Sequence, residues 1–125
     1  MSSYEKIQTV NSSERLDIIF TIVSRGKGET VVDFLQDKDV LINMICHGKG
    51  TATSSMLEML GLGATEKDVI MSFVKNERSE ELLKAISKKM EFAKPGKGIA
   101  FTVPLQSVGG IMAFKLLTTA SFEED

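Results

Sequence analysis

The sequence predicts an α+β fold of the ferredoxin-like kind, a βαββαβ sandwich whose four-stranded antiparallel sheet carries both helices on one face. Two observations predict it. The apolar segments follow the order strand, helix, strand, strand, helix, strand, which makes two βαβ-like halves in a row. The chain has 125 residues and is 42% hydrophobic, which suits one compact domain with its own core.

The first half of the pattern is a strand, a helix and a second strand. Residues 1–14 are polar and predict a flexible leader, so residues 15–125 are expected to form the folded domain. Leu16 to Val23 alternates as a strand does, and Val40 to Cys46 predicts the second strand. Between them, Glu29 to Gln36 predicts a short helix.

The second half repeats this order after a long connection. Val69 to Lys75 predicts the third strand, and Ser79 to Met90 predicts a helix that Ser79 caps. The buried stripe of this helix is expected to be Leu82, Leu83, Ile86 and Met90. Ile99 to Val103 predicts the fourth strand, and residues 111–118 offer a further strand.

One face of the predicted sheet has no helix on it. We expect Ile19, Val23, Ile70 and Val74 to lie on this uncovered face as one apolar surface. Such a surface usually marks an interface, so the sequence predicts a homo-oligomer that buries its sheets together. The alternative is that the N-terminal leader or the C-terminal segment covers the face.

The triplet Gly-Lys-Gly occurs three times, each time at one end of an apolar run. The copies are Gly26-Lys27-Gly28, Gly48-Lys49-Gly50 and Gly96-Lys97-Gly98, and Lys94 lies close to the third. Glycine lets the backbone turn its N–H groups toward one point, and lysine adds charge, so these loops can hold a phosphate. The same composition is common in ordinary surface turns. The spacing matches neither a P-loop nor a Rossmann fingerprint, which disfavours both classes.

Composition disfavours several other classes. The formal net charge is −2, so nothing global attracts nucleic acid, and an RNA-binding sheet also lacks exposed aromatic residues on a strand. No apolar run approaches the length of a membrane span, and the first residues lack a signal sequence. The single cysteine, Cys46, suits a reducing compartment, so we expect a cytoplasmic protein without membrane insertion. Its neighbour His47 faces the opposite way on the strand, which disfavours a metal site.

Two stretches carry a family resemblance. One is Lys94-Pro95-Gly96-Lys97-Gly98-Ile99-Ala100-Phe101, and the other is Leu60-Gly61-Leu62-Gly63-Ala64-Thr65-Glu66-Lys67-Asp68-Val69. With the βαββαβ order and the long excursion between the second and third strands, they resemble the PII-type signal-transduction proteins, the P-II family of nitrogen regulation. The resemblance is closer to the PII-like proteins that depart from the nitrogen-sensing pattern, and it covers Leu16 to about Gly110.

The resemblance implies a homotrimer with ATP, ADP or another adenine nucleotide bound in clefts between neighbouring subunits. The excursion at about residues 47–67 would be the T-loop, which contacts a protein target through residues 51–66. In this family the target is often a membrane transporter. The turn at residues 94–98 would be the B-loop, which holds phosphates. The implied nucleotide-binding residues are Gly48, Lys49, Gly50, Lys94, Gly96, Lys97 and Gly98.

Some positions depart from the nitrogen-sensing members. Ile99 stands where those members have a lysine, Lys97 replaces an acid, and Val108-Gly109-Gly110 stands where arginines are expected. Thr51-Ala52-Thr53 offers no match to the glutamine that helps to hold magnesium and 2-oxoglutarate, and the loop has no tyrosine. The resemblance therefore carries over nucleotide binding, but neither 2-oxoglutarate sensing nor tyrosine nucleotidylylation.

The predicted function is that of a regulatory protein that senses ATP, ADP or a related nucleotide and controls a target through its T-loop. Met56, Leu57, Met59 and Leu60 on that loop suit an adaptable docking surface. The sequence offers no paired nucleophile and base and no carboxylate cluster for a metal, so we expect neither an enzyme nor a required cofactor. The alternative is a slow nucleotide-hydrolysing enzyme on the same scaffold.

Overall fold

The structure is a computed structural model that describes residues 7–9, 15–50 and 66–110. Its elements are β1 (Ile7–Thr9), β2 (Leu16–Ser24), α1 (Gly28–Gln36), β3 (Asn43–Lys49), β4 (Glu66–Lys75), α2 (Asn76–Lys89), β5 (Ile99–Pro104) and β6 (Ser107–Gly109). Strands β2 to β5 form one antiparallel sheet, and with the two helices of the described residues they confirm the predicted α+β ferredoxin-like fold. The predicted strand at residues 111–118 and the T-loop residues 51–65 lie outside the described residues.

Strands β2 and β4 form the centre of the sheet. The strand order is β3-β4-β2-β5, and each neighbouring pair is antiparallel. β2 pairs with β4 from Leu16 opposite Lys75 to Ser24 opposite Lys67. Because neighbours run in opposite directions, the ends of β2 and β3 and the starts of β4 and β5 meet at one end of the sheet. We name this the loop end.

Both helices pack on one face of the sheet, and the core lies between them and the strands. Ile19, Val23, Ile70 and Val74 are at most 1% exposed and belong to this core. The prediction that these four residues line the uncovered face is therefore wrong. Both faces of β2 and β4 are apolar, so alternation separates the two faces without indicating which one the helices cover.

The uncovered face of the sheet, against which no helix of the described residues packs, is apolar and partly aromatic. It carries the other alternate residues of each strand: Ile18, Phe20 and Ile22 of β2, Met71 and Phe73 of β4, Phe101 and Val103 of β5, and Met44 of β3. The rings of Phe20 and Phe101 stack with their centroids 5.4 Å apart. Phe101 is 41% exposed, so the expectation that the strands expose no aromatic residue is wrong, although the acidic net charge still disfavours RNA.

Helix α2 begins at Asn76, before the predicted start at Ser79. Its N-cap residue, Lys75, makes no side-chain capping hydrogen bond, and the prediction that Ser79 caps the helix is wrong. Ser79 lies inside the first part of the helix and is buried against the sheet. The predicted apolar stripe is confirmed, with Leu82 and Ile86 buried and Leu83 and Met90 partly buried.

Several strand boundaries differ from the predicted ones. β3 spans Asn43–Lys49, and Val40, the predicted start, lies in the core before it. β4 starts at Glu66, so β3 and β4 extend as a paired ribbon into the base of the predicted T-loop. Ile7–Thr9, within the predicted leader, pairs with Ser107–Gly109 as a separate two-stranded sheet that the sequence pattern did not predict.

A buried carboxylate on β2 fixes the start of α2. Asp17 is 5% exposed, and its Oδ2 accepts hydrogen bonds from Ser79 Oγ at 2.6 Å and from Asn76 Nδ2 at 3.0 Å. The backbone N–H of Asn76 donates to the carbonyl of Arg15 at 3.1 Å. A carboxylate at this position also complements the positive end of the helix dipole. These contacts explain why Ser79 lies within the helix instead of before it.

We expect Ser79→Ala to lower the free energy of unfolding by about 1.5–3 kcal/mol, because the buried carboxylate of Asp17 loses a charged hydrogen bond. Urea denaturation followed by circular dichroism measures the change. The matched control is Ser87→Ala on the same helix, where the lost bond runs to the Leu83 carbonyl and the substitution should cost little. Equal losses in the two variants would contradict the role assigned to Asp17.

Candidate functional site

All three Gly-Lys-Gly triplets lie at the loop end of the sheet. Gly48 is opposite Lys67 on β4, and Lys67 is in turn opposite Ser24, the last residue of β2. The triplet at residues 26–28 follows β2 directly, and β5 begins directly after the triplet at residues 96–98. The strand order therefore places the triplet at 26–28 near the centre of this end and the other two triplets at its opposite edges.

The predicted nucleotide-binding residues fall into two groups that a single chain keeps apart. The first group is Gly48, Lys49 and Gly50 at the end of β3, and the second is Lys94, Gly96, Lys97 and Gly98 before β5. Strands β3 and β5 are the two edges of the sheet, with β4 and β2 between them. Three inter-strand spacings amount to about 14 Å, so one subunit does not join the two groups around one ligand phosphate.

The first group belongs to the ribbon at the base of the predicted T-loop. Gly48 and Lys49 end β3 and lie opposite Lys67 and Glu66. A Cβ on Gly48 would lie 3.2 Å from Val69 Cγ2, so glycine allows the two strands to pack closely here. Lys49 is exposed, whereas Lys67 is buried, and burial lowers the pKa of Lys67. The ribbon of β3 and β4 thus carries one exposed and one buried lysine.

The second group forms the turn before β5 and depends on glycine. Gly98 has φ +133°, and a Cβ at this position would clash with the Ile22 carbonyl oxygen. Lys94 Nζ donates a hydrogen bond to Glu91 Oε1 at 2.7 Å, and this bond lowers the pKa of the Glu91 carboxyl. Lys97 lines a cavity beside the turn. Lys94 is therefore engaged with a carboxylate, and Lys97 is the lysine of this turn that faces the cavity.

The backbone amides of the central triplet are not free to bind a phosphate, which corrects the prediction for these N–H groups, because they already donate to groups of the protein. The carboxylate of Asp68 on β4 is buried, and its Oδ2 accepts the N–H groups of Gly26 and Gly28, both at 2.9 Å. A Cβ on Gly28 would lie 2.9 Å from this same oxygen, so the close approach requires glycine. The anion that this loop holds is a side chain of the protein.

The second oxygen of Asp68 contacts two further side chains. His47 Nδ1 lies 3.1 Å from Asp68 Oδ1, and Arg25 Nε lies 3.4 Å from the same oxygen. Burial acts to raise the pKa of Asp68, but hydrogen bonds from Gly28, Gly26 and His47 outweigh it and hold the pKa below its ordinary value. The carboxylate is ionised at neutral pH and links the loop after β2 to the base of the predicted T-loop.

Asp68 was not among the site residues predicted from the sequence, although a signal for it was present. Asp68 lies in the alternate row of β4 that also contains Ile70, Ser72 and Val74, and this row faces the helices. A charged residue in a core-facing row needs hydrogen-bond partners, because an unpaired buried charge is costly. A glycine-rich loop at the end of the neighbouring strand is a source of such donors.

A cavity of about 280 Å³ lies beside the second group. Its lining consists of Ser24, Lys27, Thr30, Lys89, Met90, Glu91, Gly96 and Lys97. The cavity brings Lys27 and Lys97, from two different triplets, to one place, together with Lys89 at the end of α2. Lys89 was not among the site residues predicted from the sequence, because only the packing of both helices on the sheet brings the end of α2 beside the start of α1.

Neither a metal cluster nor a membrane-spanning helix is present in residues 7–9, 15–50 and 66–110. Within these ranges, no three His, Cys, Asp or Glu side chains are grouped so that they could hold a metal ion. None of the helices described here combines the length and the apolar composition needed to cross a bilayer. Cys46 is exposed as a free thiol.

Comparison with known proteins gives matches at the level of structure. No family model and no curated protein matches the sequence. CutA from Synechococcus elongatus PCC7942 matches over 93% of this chain and 95% of its own, with 11% identity and a TM-score of 0.61. The apo form of CPII from Thiomonas intermedia K12, a nitrogen regulatory PII-like protein, matches over 83% of this chain and 98% of its own, with 20% identity and a TM-score of 0.58.

This chain has a PII-like fold. CPII bound to ADP, AMP and bicarbonate gives a similar match, over 83% of this chain and 97% of its own, with 20% identity and a TM-score of 0.56. At these identities the likeness concerns the path of the backbone. The roles of single residues in this PII-like fold therefore rest on the geometry of the loop end.

We expect the stability that Asp68 provides to be lost in acid. Its folded-state pKa lies below the ordinary value of 3.8, so the stabilisation is complete above that value and is lost as the pH falls through the folded-state pKa. As the pH falls below about 4, the wild-type protein should lose free energy of unfolding more steeply than Asp68→Asn, which does not titrate. At neutral pH the variant should be less stable by about 1.5–3 kcal/mol.

Urea denaturation at each pH measures both effects. The control is Asp33→Asn, which removes an exposed carboxylate from α1 and should keep the wild-type dependence on pH. A wild-type acid slope that persists in Asp68→Asn would show that other groups are responsible for it.

Proposed function

We propose that this protein binds an adenine nucleotide and reports its level to a protein target. The observation that carries the proposal is the loop end, where Lys97 and a glycine turn share one end of the sheet with the ribbon at the base of the predicted T-loop. Backbone N–H groups and lysines are the groups that bind phosphates. CPII, whose fold is the same, binds ADP and AMP, which supports an adenine nucleotide as the ligand.

The binding-competent form in this proposal is a homotrimer. The two groups of predicted site residues lie about 14 Å apart in one chain, so a second copy is needed to bring residues 48–50 close to residues 94–98. The uncovered face of the sheet, with Phe101 41% exposed, offers apolar surface that neighbouring copies would bury. The nucleotide would then lie in a cleft between subunits.

The signal would leave through the T-loop at about residues 47–67. The base of this loop is tied to the start of α1, because His47 contacts Asp68 and Asp68 accepts the N–H groups of Gly26 and Gly28. A nucleotide that shifts the loop end would therefore also shift the base of the T-loop. Regulation requires a target that binds one ligand state more tightly than the other.

Residues 51–66 are the proposed contact with the target, and the contact would form in the cytoplasm. A membrane transporter is one class of target that such a loop would suit. The connection to nitrogen regulation belongs to the same proposal. CPII, with this fold, is described as a nitrogen regulatory PII-like protein, which supports the connection. The side chains of residues 51–66 would determine which target the loop binds.

We favour a role without catalysis over slow nucleotide hydrolysis. Hydrolysis needs a base within reach of the attacking water. Asp68 is the buried carboxylate of the loop end, and its depressed pKa and its bonds to Gly26 and Gly28 make it a poor base. Steady release of phosphate from ATP that Lys97→Ala abolishes would favour the hydrolase instead.

Calorimetric titration with ATP, ADP, AMP and cyclic AMP tests the proposed function, with the mass in solution measured by light scattering. We expect at least one nucleotide to bind with one site per subunit of a trimer. Lys97→Ala should weaken this binding by about 1–3 kcal/mol, because a charge-assisted contact to phosphate is lost. Lys84→Ala is the control, since Lys84 pairs with Glu80 on the exposed side of α2, 3.1 Å away.

Two results would contradict the proposal. One is the absence of binding by all four nucleotides at concentrations that reveal a dissociation constant of about 1 mM. The other is nucleotide binding by a protein that light scattering finds to be a monomer, because the proposed cleft lies between subunits.

A further inference from the structure

The cavity at the loop end has the composition of an anion site. Lys27, Lys89 and Lys97 line it, and Thr30 adds a hydroxyl group. Three segments distant in sequence supply these side chains: the start of α1, the end of α2 and the turn before β5. We infer that this cavity, named here the lysine cavity, is a subsite for the terminal phosphates of the bound nucleotide, with Lys27 and Lys89 as further phosphate-binding residues.

The charge around the lysine cavity is positive on balance. Glu91 is the carboxylate of its lining, and Glu91 pairs with Lys94 at 2.7 Å. Within the described residues, no salt bridge joins Lys27, Lys89 or Lys97 to a carboxylate. Three lysines and one carboxylate leave a net positive charge in the lining, which a chain of phosphates would neutralise.

The two helix ends at the cavity act in opposite directions. α1 begins at Gly28 without a side-chain cap. The backbone N–H groups of Glu29 and Thr30, in its first turn, have no acceptor inside the helix, which favours an anion. The last carbonyls of α2 have the opposite effect, and Lys88 and Lys89 in that turn offset it. Lys89 Nζ also lies over the Phe34 ring, 5.9 Å from its centroid, in a cation–π contact that joins the end of α2 to α1.

Size and polarity restrict which part of a nucleotide can enter. The volume of about 280 Å³ is at the lower limit of sites that enclose a whole small ligand, which span roughly 300–1,000 Å³. Met90 is the large apolar side chain of the lining, and none of the described residues that line the cavity is aromatic, so adenine has no ring to stack on. The base and ribose would bind outside the cavity and the phosphates inside it.

A subsite for terminal phosphates distinguishes nucleotides by the length of the phosphate chain. ATP would reach Lys27 and Lys89, whereas the single phosphate of AMP would be held at the turn that contains Lys97. Removal of either Lys27 or Lys89 should therefore weaken ATP binding about tenfold and AMP binding little. The identification of the ligand as a nucleotide rests on the proposed function. The lysine cavity by itself would bind any chain of linked phosphates.

The test is calorimetric titration of the full-length protein with ATP, AMP and inorganic tripolyphosphate. The variants are Lys27→Ala and Lys89→Ala. The matched control is Lys88→Ala, which removes the same charge from the same helical turn but does not line the cavity. Thermal melting verifies that each variant folds, and Lys27→Arg, which keeps the charge, should keep most of the affinity.

The expected result is weaker binding of ATP and tripolyphosphate in both cavity variants, with AMP binding and Lys88→Ala unchanged. Unchanged ATP affinity in both cavity variants would overturn the inference and leave the proposed function standing. Tripolyphosphate binding that the cavity variants lose, without binding of any nucleotide, would support the anion site and overturn the proposed function. An equal loss in Lys88→Ala, or binding of neither probe by the wild type, would overturn the site.

Discussion

The carboxylate of Asp68 is the interaction on which the geometry of the loop end depends. It stands at the start of a central strand and accepts the N–H groups of the loop at residues 26–28, while its other oxygen contacts His47. One buried charge therefore fixes the end of β2, the start of α1 and the base of the predicted T-loop. Asp17 has the equivalent role at the other end of the same strand pair, where it holds the start of α2.

This internal anion determines where an external anion can bind. The amides of the central loop are already occupied, so binding is left to the lysines around the loop end and to the glycine turns at its two edges. In one chain the edge strands β3 and β5 are separated by the two central strands, which is why the proposed nucleotide site needs a neighbouring subunit. The lysine cavity lies on the helix side of this end and adds cations that come from the same chain as the turn before β5.

The order of the elements could be predicted because each strand and helix has its own apolar period. The face that the helices cover could not be predicted, because Ile18 and Ile19 lie on opposite faces of β2 and are equally apolar. Only the packing of the helices decides which of the two faces is buried. Ser79 looked like a cap because its hydrogen-bond partner, Asp17, lies far away in sequence. The contacts of Asp68 and the convergence of the cavity lysines likewise arise from tertiary packing, which local patterns do not record.

The most direct measurement is a crystal structure of the protein grown with ATP. We expect density for the phosphates against residues 96–98 of one subunit, with residues 48–50 of a neighbouring subunit across the same cleft. Asp68 should keep its bonds to residues 26–28. Phosphates seated on the amides of residues 26–28 with the Asp68 carboxylate displaced, or a nucleotide bound within a single subunit far from residues 96–98, would contradict this arrangement.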